Sequence, residues 1–158
     1  MDHQIKTVGI IGAGQMGNGI AHVASVAGFD IRLHDIAEDR INAALATIDG
    51  NMARQVAKGA IADEDRRSAM SRIVAAPKLE DLGPCDLVIE AATESEEVKR
   101  KIFTAVCAHL RPDAILASNT SSISITRLAA ATDRPEHFIG IHFMNPVPLM
   151  QLVELIRG

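Results

Sequence analysis

The sequence is poor in cysteine and has neither tryptophan nor tyrosine among its 158 residues. The two cysteines, Cys85 and Cys107, show no paired spacing, and neither a His-Glu-x-x-His nor a Cys-x-x-Cys motif occurs. Zinc sites and disulfide frameworks depend on such spacings. We therefore predict two reduced thiols that fill core positions, and no metal site.

Long apolar runs and a dominant charge of one sign are also missing. The apolar runs fall far short of the roughly 20 residues that span a bilayer. The first residues do not combine a charged leader with an apolar core, as a targeting peptide would. With 16 basic and 20 acidic residues, the net charge is −4 and no basic stripe is present. These absences predict a cytoplasmic protein whose partners are neither nucleic acid nor membrane.

The sequence does contain a regular alternation of strand and helix patterns. Thr7–Ile11 is an apolar, β-branched run that ends in glycines. Residues 17–27 then have helical spacing ended by Gly28, and residues 30–35 form a second strand. This order predicts one parallel β-α-β unit. Further along we predict strands at Ile73–Ala75, Leu87–Glu90, 115–117, 138–141 and 152–156, and helices at 96–109 and 123–131.

A helical insertion separates the second strand from the third. Its apolar residues recur at steps of three or four and form one stripe, made of Ile41, Leu45, Ile48, Met52 and Val56. Gly59 is expected to end this helix, and Asp63 to be the N-cap of a second helix that reaches residue 71. The pattern predicts one domain over residues 1–158. It is a Rossmann-type, doubly wound, mostly parallel α/β sheet with a helical hairpin inserted at about 37–71.

A glycine-rich turn joins the first strand to the first helix. It reads Gly12-Ala13-Gly14-Gln15-Met16-Gly17 and matches the Gly-x-Gly-x-x-Gly pattern of dinucleotide-binding domains. The first glycine permits the turn, the second lets the backbone approach a pyrophosphate, and the third lets helix and strand pack closely. The N-terminus of the helix offers free N–H groups to the phosphates.

Asp35 follows the second strand and bears on the choice of cofactor. Its carboxylate, 18 residues after Gly17, can accept hydrogen bonds from both ribose hydroxyls and repels a 2′-phosphate. We therefore predict NAD rather than NADP as the cofactor; Arg40 is the nearest basic residue that argues otherwise. The competing interpretation is a turn required only by chain geometry, with Asp35 as a helix N-cap.

Polar residues suited to proton transfer lie in the last part of the chain. The run Ser-Asn-Thr-Ser-Ser at 118–122 is followed by His142 and then by Glu154. An imidazole takes a proton near neutral pH, and a carboxylate on its other nitrogen fixes the tautomer. This set suits removal of a proton from an alcohol while a hydride leaves its carbon. Because apolar residues flank Glu154, we expect a buried, paired carboxylate.

Four segments together resemble the 3-hydroxyacyl-CoA dehydrogenase family, in particular its bacterial 3-hydroxybutyryl-CoA members: residues 8–19, 86–99, 118–122 and 142–154. The lack of tyrosine excludes dehydrogenases of the short-chain type, which rely on a catalytic tyrosine. The resemblance implies reversible, NAD-dependent oxidation of a (3S)-3-hydroxyacyl-CoA to the 3-ketoacyl-CoA, in fatty acid metabolism. It also implies that this chain is the N-terminal domain, without the helical C-terminal domain through which the family forms homodimers.

The resemblance assigns catalytic roles to three residues. His142 is implied as the catalytic base, Glu154 as its carboxylate partner, and Ser121 as the contact to the substrate's oxygen. Ser121 has a second interpretation, as the N-cap of the helix that begins near Ile123. Met144 stands where the family has a second aromatic residue, which is a packing change beside the histidine.

The resemblance also assigns binding positions. Residues near the cofactor's ribose and nicotinamide are implied to be Glu94, Lys99, Asn119 and Asn145. Asn51 and Lys58, on the inserted hairpin, are implied to contact coenzyme A of an acyl-CoA substrate.

Two other functions stay open. The chain could be a dinucleotide-binding module that is inactive alone, because half of the substrate cleft would lie in the second domain. It could instead belong to a dehydrogenase of related architecture that oxidises a hydroxy acid without coenzyme A.

Overall fold

The computed structural model describes residues 4–158; residues 1–3, the first of the predicted domain, lie outside the described residues. Within residues 4–158, seven strands form one sheet: β1 (Thr7–Ile11), β2 (Asp30–His34), β3 (Ile73–Ala75), β4 (Leu87–Glu90), β5 (Ile115–Ser118), β6 (Phe138–Phe143) and β7 (Val153–Ile156). The same residues form five α-helices: α1 (Gln15–Val26), α2 (Glu38–Ala57), α3 (Asp63–Arg72), α4 (Glu96–Cys107) and α5 (Ile125–Ala130).

The strand order across the sheet is β3-β2-β1-β4-β5-β6-β7. Neighbouring strands are parallel except for β6 and β7, which are antiparallel. A parallel pair needs a long crossover, and the connection at 144–152 is too short to provide one. The strand order reverses between β1 and β4, and α/β domains bind ligands at such a point, beyond the carboxyl ends of the strands.

The sheet separates two apolar clusters. Successive strand residues alternate between them, because side chains along a strand point to opposite faces. Ile89 packs with α1 and α2 residues in one cluster, while its neighbour Val88 packs with Phe103 and Leu128 in the other. The predicted doubly wound, mostly parallel α/β fold is therefore confirmed.

Helix α2 shows how the sequence pattern places the inserted hairpin. The stripe residues Ile41, Ile48 and Met52 have no exposed surface, and Ala44 joins them in the cluster around α1. Burial of each large apolar side chain stabilises the fold by about 1.5–3 kcal/mol. The opposite face of α2 stays free for polar residues, as the periodicity predicts.

Most predicted element ends agree with the structure to within one or two residues, and two caps are wrong. Gly59 has φ +76° and ends α2 as predicted. The N-cap of α3 is Ala62 rather than Asp63, because the Asp65 carboxylate accepts the Ala62 N–H. The N-cap of α5 is Ser124, whose hydroxyl accepts the Arg127 N–H. The helix therefore starts two residues later than predicted, and Ser121 does not cap it.

The two cysteines are free thiols in the core, as predicted. Burial raises the pKa of the Cys85 thiol to about 11, which makes it a poor nucleophile at neutral pH. Among residues 4–158, none of the helices has the length and apolar character needed to cross a membrane.

Candidate active site

The glycine turn has the tight bend predicted at its first glycine and the close helix–strand packing predicted at its third. Gly12 has φ +109°, in the left-handed region, and its N–H donates to the His34 carbonyl oxygen at 2.8 Å. A Cβ on Gly17 would lie 1.6 Å from the Gly12 carbonyl oxygen. Both positions therefore require glycine for reasons internal to the chain.

Gly14 differs from the other two glycines of the turn. A Cβ on this residue would meet no atom of the described chain within 4 Å, so protein packing does not demand glycine there. Gly14 is also the N-cap of α1 and contributes no side-chain oxygen to the first helical N–H groups. Open space in front of free N–H groups fits a pyrophosphate, which is the reason predicted for this glycine.

Asp35 lies beside this turn and is 7% exposed. Its Oδ2 accepts the Ala13 N–H and its Oδ1 accepts the Ala37 N–H, each at 2.9 Å. Because the N-cap of α2 is Ala37, the competing interpretation of Asp35 as a helix N-cap is wrong. Each carboxylate oxygen can accept a further hydrogen bond.

A cavity of about 440 Å³ opens next to Asp35. Gly12 of the turn and Arg40 of α2 line it together with four apolar side chains, which are Ile36, Leu79, Val98 and Ile102. Ile36 is 96% exposed, an unusual state for a large apolar side chain. The cavity offers an apolar slot with one carboxylate at its edge, which suits a nucleoside.

A second cavity, of about 270 Å³, adjoins the turn and shares Ala92 and Thr93 with the first. It is lined by Gly14, Gln15, Met16, residues 91–94, Lys99 and Asn119. Three residues predicted near the ribose and nicotinamide, Glu94, Lys99 and Asn119, therefore come together at one cavity beside the predicted pyrophosphate position. Glu94 and Asn119 come from the loops that follow β4 and β5, and Lys99 comes from α4.

Lys99 is held by a residue that the sequence analysis missed. Its Nζ lies 2.5 Å from Glu90 Oε1, and the two side chains are 1% and 0% exposed. The Ser118 hydroxyl donates to the same oxygen at 2.8 Å, and the Ala92 N–H donates to Oε2 at 2.8 Å. The signal was an acidic residue at the end of an otherwise apolar strand, which requires a buried partner.

Two asparagine amides connect the loop after β5 to the end of β6, and the loop after β6 to the glycine turn. Asn119 Oδ1 accepts the Phe143 N–H at 2.8 Å, next to His142. Gln15 Nε2 donates to Asn145 Oδ1 at 3.2 Å. The predicted positions 119 and 145 therefore contact the backbone beside the histidine and the glycine turn, respectively.

His142 and Glu154 are cross-strand partners in the β6–β7 ladder. His142 Nδ1 lies 3.9 Å from Glu154 Oε2, beyond hydrogen-bond distance. The side chains are 23% and 50% exposed, so the expectation of a buried Glu154 is wrong. β7 is an edge strand, and its apolar residues Val153 and Leu155 are themselves exposed.

Ser121 lies exposed in the loop after β5. The neighbouring Thr120 shapes this loop: its Oγ1 accepts the Ser122 and Ile123 N–H groups and donates to Glu94 Oε2. Ser121 is thereby left without a capping role, in the loop that follows β5, the strand next to the one that carries His142.

The inserted hairpin borders a third cavity, of about 500 Å³. Asn51, Arg54 and Lys58 line it from α2 and its C-cap, opposite Pro146, Pro148 and Leu149. At its wall, His22 Nε2 lies 2.8 Å from Gln55 Oε1, while the buried His22 Nδ1 has no hydrogen-bond partner within the described residues. Burial lowers the pKa of His22, and the bond to Gln55 opposes this change. Sequence reasoning missed this pair, because neither residue stands in a motif.

Comparison with known proteins identifies a family. A family profile described as "3-hydroxyacyl-CoA dehydrogenase, NAD binding domain" matches residues 7–158. A 3-hydroxybutyryl-CoA dehydrogenase from Bradyrhizobium diazoefficiens is 71% identical over 154 residues, which cover 98% of this chain and 53% of that protein. A 3-hydroxybutyryl-CoA dehydrogenase from Mycobacterium tuberculosis is 44% identical, over 99% of this chain and 55% of that protein.

Solved structures agree with these relatives. The crystal structure of (S)-3-hydroxybutyryl-CoA dehydrogenase from Ralstonia eutropha matches with a TM-score of 0.96 and 47% identity, covering 98% of this chain and 55% of that one. The chain thus spans about half the length of the curated relatives it matches.

Proposed function

The chain belongs to the 3-hydroxyacyl-CoA dehydrogenase family, as its NAD-binding domain, and on this premise we propose that it provides the cofactor half of an enzyme that oxidises 3-hydroxyacyl-CoA to 3-ketoacyl-CoA. The cofactor is NAD, as predicted. The reaction is reversible and serves fatty acid metabolism. The (3S) configuration is supported by the name of the relative from Ralstonia eutropha.

The residues around the glycine turn fit NAD. We propose that the N-terminus of α1 and Gly14 hold the pyrophosphate and that Asp35 accepts the ribose hydroxyls on the adenine side. Glu94, Lys99, Asn119 and Asn145 then serve the nicotinamide side. The support is the pair of neighbouring cavities at the turn, one beside Asp35 and one lined by Gly14, at a position where a Cβ would meet open space.

His142 acts as the general base in this proposal. NAD, when bound, supplies the acceptor for the hydride that leaves the alcohol carbon. The imidazole takes the hydroxyl proton, and Glu154 orients the ring through its other nitrogen and stabilises the imidazolium that forms. The cross-strand pairing supports this role, since it keeps both side chains on one face of the sheet.

Ser121 and the hairpin are assigned to the substrate. We propose that the exposed Ser121 hydroxyl donates to the substrate's oxygen, next to His142. Asn51 and Lys58 contact coenzyme A, and the cavity of about 500 Å³ between the hairpin and residues 146–149 supports this assignment. Lys58 adds a positive charge that suits the phosphates of coenzyme A.

The reaction is proposed for the complete enzyme, because the chain spans about half the length of its relatives. The helical C-terminal domain, the homodimer and the cytoplasmic location implied above stay predictions.

One observation carries the proposal: the open glycine turn and the His142–Glu154 pair occur in one sheet whose strand order reverses between β1 and β4. The test is turnover by the complete enzyme with NAD and either 3-hydroxybutyryl-CoA or free 3-hydroxybutyrate, followed by NADH absorbance. We expect turnover of the CoA ester alone. Turnover of the free acid at an equal rate would favour the hydroxy acid alternative, and NADH binding without turnover of either would favour the binding module.

A further inference from the structure

Glu90 is a charged residue at the centre of the sheet. It ends β4, pairs in register with Ile11 of β1 and Ser118 of β5, and has no exposed surface. Three donors surround its carboxylate: the Lys99 ammonium and the Ser118 hydroxyl on Oε1, and the Ala92 N–H on Oε2. The orientation of this carboxylate is therefore fixed from three directions.

The Lys99 ammonium has donors to spare. An ammonium carries three N–H groups, and Glu90 is its one protein hydrogen-bond partner within the described residues. The side chain is 1% exposed, yet it lines the 270 Å³ cavity together with Gly14 and Asn119. The remaining donors thus lie at the floor of a cavity that protein atoms leave open.

Stability alone gives a weak reason for this arrangement. Removing two charges from water costs several kcal/mol for each ion, and apolar pairs of similar volume often replace buried ion pairs without loss. A buried pair whose cation borders a polar cavity is better explained by what enters that cavity.

We propose that Glu90, supported by Ser118, is a positioning residue for cofactor binding. It holds the Lys99 ammonium at the cavity beside Gly14, where the ammonium donates hydrogen bonds to the ribose hydroxyls on the nicotinamide side of NAD. This inference rests on the proposed function. Glu90 acts through Lys99 and touches neither cofactor nor substrate.

The same helix offers a matched control pair. Lys101 Nζ lies 3.4 Å from Glu97 Oε1, and the two side chains are 75% and 81% exposed. Substitutions there change the net charge of the chain by the same amount as those at Glu90 and Lys99, at residues that do not line the cavity.

The experiment titrates the 158-residue chain with NADH and, separately, with ADP, which lacks the nicotinamide riboside. The variants are Glu90→Gln, Lys99→Met, the double variant, Ser118→Ala and the control Glu97→Gln, each also followed by thermal unfolding. We expect Glu90→Gln and Lys99→Met each to raise the Kd for NADH about tenfold and to leave the Kd for ADP within twofold.

The double variant separates positioning from a structural role. Glu90→Gln alone leaves a buried ammonium without its counter-charge and lowers the unfolding midpoint, whereas the double variant removes both charges and recovers it. We expect the double variant to bind NADH as weakly as Lys99→Met and no weaker. A tenfold further loss, or recovery of NADH affinity together with the midpoint, would overturn the inference.

Two further results complete the test. Ser118→Ala keeps the ion pair intact and gives an answer even where Glu90→Gln does not fold. We expect it to raise the Kd for NADH about threefold while ADP binding is unchanged, and parental NADH affinity would overturn the inference. A parent chain that binds ADP but shows no loss in any variant would leave the proposed function standing without this inference. A parent chain that binds neither nucleotide would overturn both.

Discussion

Asp35 and Glu154 are two carboxylates of the same proposed site, yet their surroundings differ. Asp35 is 7% exposed and accepts two backbone N–H groups at 2.9 Å each. The Glu154 side chain is 50% exposed, and its nearest partner atom on His142 is 3.9 Å away. We call the nucleotide end of the site, where the carboxylate is buried and hydrogen-bonded, the closed end. The proton-transfer end, where the carboxylate is half exposed, is the open end.

The difference follows from position in the sheet. β1 and β2 each have strands on both sides and helices packed against them, so their loops are fixed by many neighbours. β7 is an edge strand, and the ladder with β6 fixes which residue faces His142 without fixing how closely it approaches. At the nucleotide end the carboxylate of Asp35 is already hydrogen-bonded in place. At the proton-transfer end the strand register pairs Glu154 with His142, but their side chains are not hydrogen-bonded.

The largest effect is expected at the open end. His142→Gln in the complete enzyme removes the general base and should lower kcat about a thousandfold, within the range for lost acid–base catalysis. NADH binding to the variant chain should stay within twofold of the parent, because the closed end is untouched. Steady-state kinetics and fluorescence titration measure the two quantities. The exposed His109→Gln is the control, and a kcat within tenfold of the parent would remove His142 from its role.

At the closed end, the largest loss of stability is expected from a side chain added to the backbone of the glycine turn. Gly17→Ala places a Cβ against the Gly12 carbonyl oxygen and should destabilise the fold by about 3 kcal/mol, a fall of roughly 10 °C in Tm for a chain of this size. Gly14→Ala is the matched control, since its Cβ meets open space. It should keep its Tm and lose NADH affinity about tenfold. Equal Tm values for the two variants would contradict this account of the turn.

Asp35→Ser tests whether the hydrogen bonds of the closed end are used for recognition. Loss of a charged acceptor for the ribose hydroxyls should raise the Kd for NADH about thirtyfold, which corresponds to about 2 kcal/mol. The preference for NADH over NADPH should narrow, because the repulsion of a 2′-phosphate is gone. Titration of both nucleotides measures this, with Asp39→Ser on the exposed face of α2 as the control. Unchanged discrimination would speak against Asp35 as its source.

The smallest expected effect is on the pH dependence of stability, through His22 on α1, the helix that begins at the turn. Burial lowers the pKa of His22 in the folded protein, whereas in the unfolded chain it stays near 6.5. The unfolded state therefore binds the proton more readily, and this contribution to the free energy of unfolding is full above pH 6.5 and lost as the pH falls. His22→Gln should lose less Tm between pH 7.5 and 5.5 than the parent. If the Tm of His22→Gln fell between these pH values by as much as the Tm of the parent and of the control His109→Gln, His22 would not be the source of this pH dependence.

Sequence reasoning was accurate where local patterns dictate geometry. The turn at 12–17, the strand before it and the acid at 35 follow from backbone conformation and chain order, which a short segment already encodes. The stripe on α2 likewise follows from helical periodicity. These features need no knowledge of what lies across the sheet.

It failed where the deciding neighbour is distant in sequence. The Glu90–Lys99 pair joins the end of a strand to the first turns of a helix, and His22 meets Gln55 across two helices. The burial expected of Glu154 assumed that apolar neighbours in sequence are buried neighbours in space. An edge strand breaks that assumption, because one of its sides has no strand to cover it.

The antiparallel return of β7 has a consequence for how this site tolerates length changes. Side chains alternate along a strand, so moving β7 by one residue against β6 would carry Glu154 to the other face of the sheet. Moving β7 by two residues would return Glu154 to the face of His142 but would place a different residue directly opposite the histidine. Val147, buried against the cluster around α1, anchors the connection that sets this count. The proposed His142–Glu154 pair is thus governed by strand register: insertions at 144–152 that shift β7 against β6 would break the pair with both residues still in the chain, and a shift by an odd number of residues would also move the acid to the other face of the sheet.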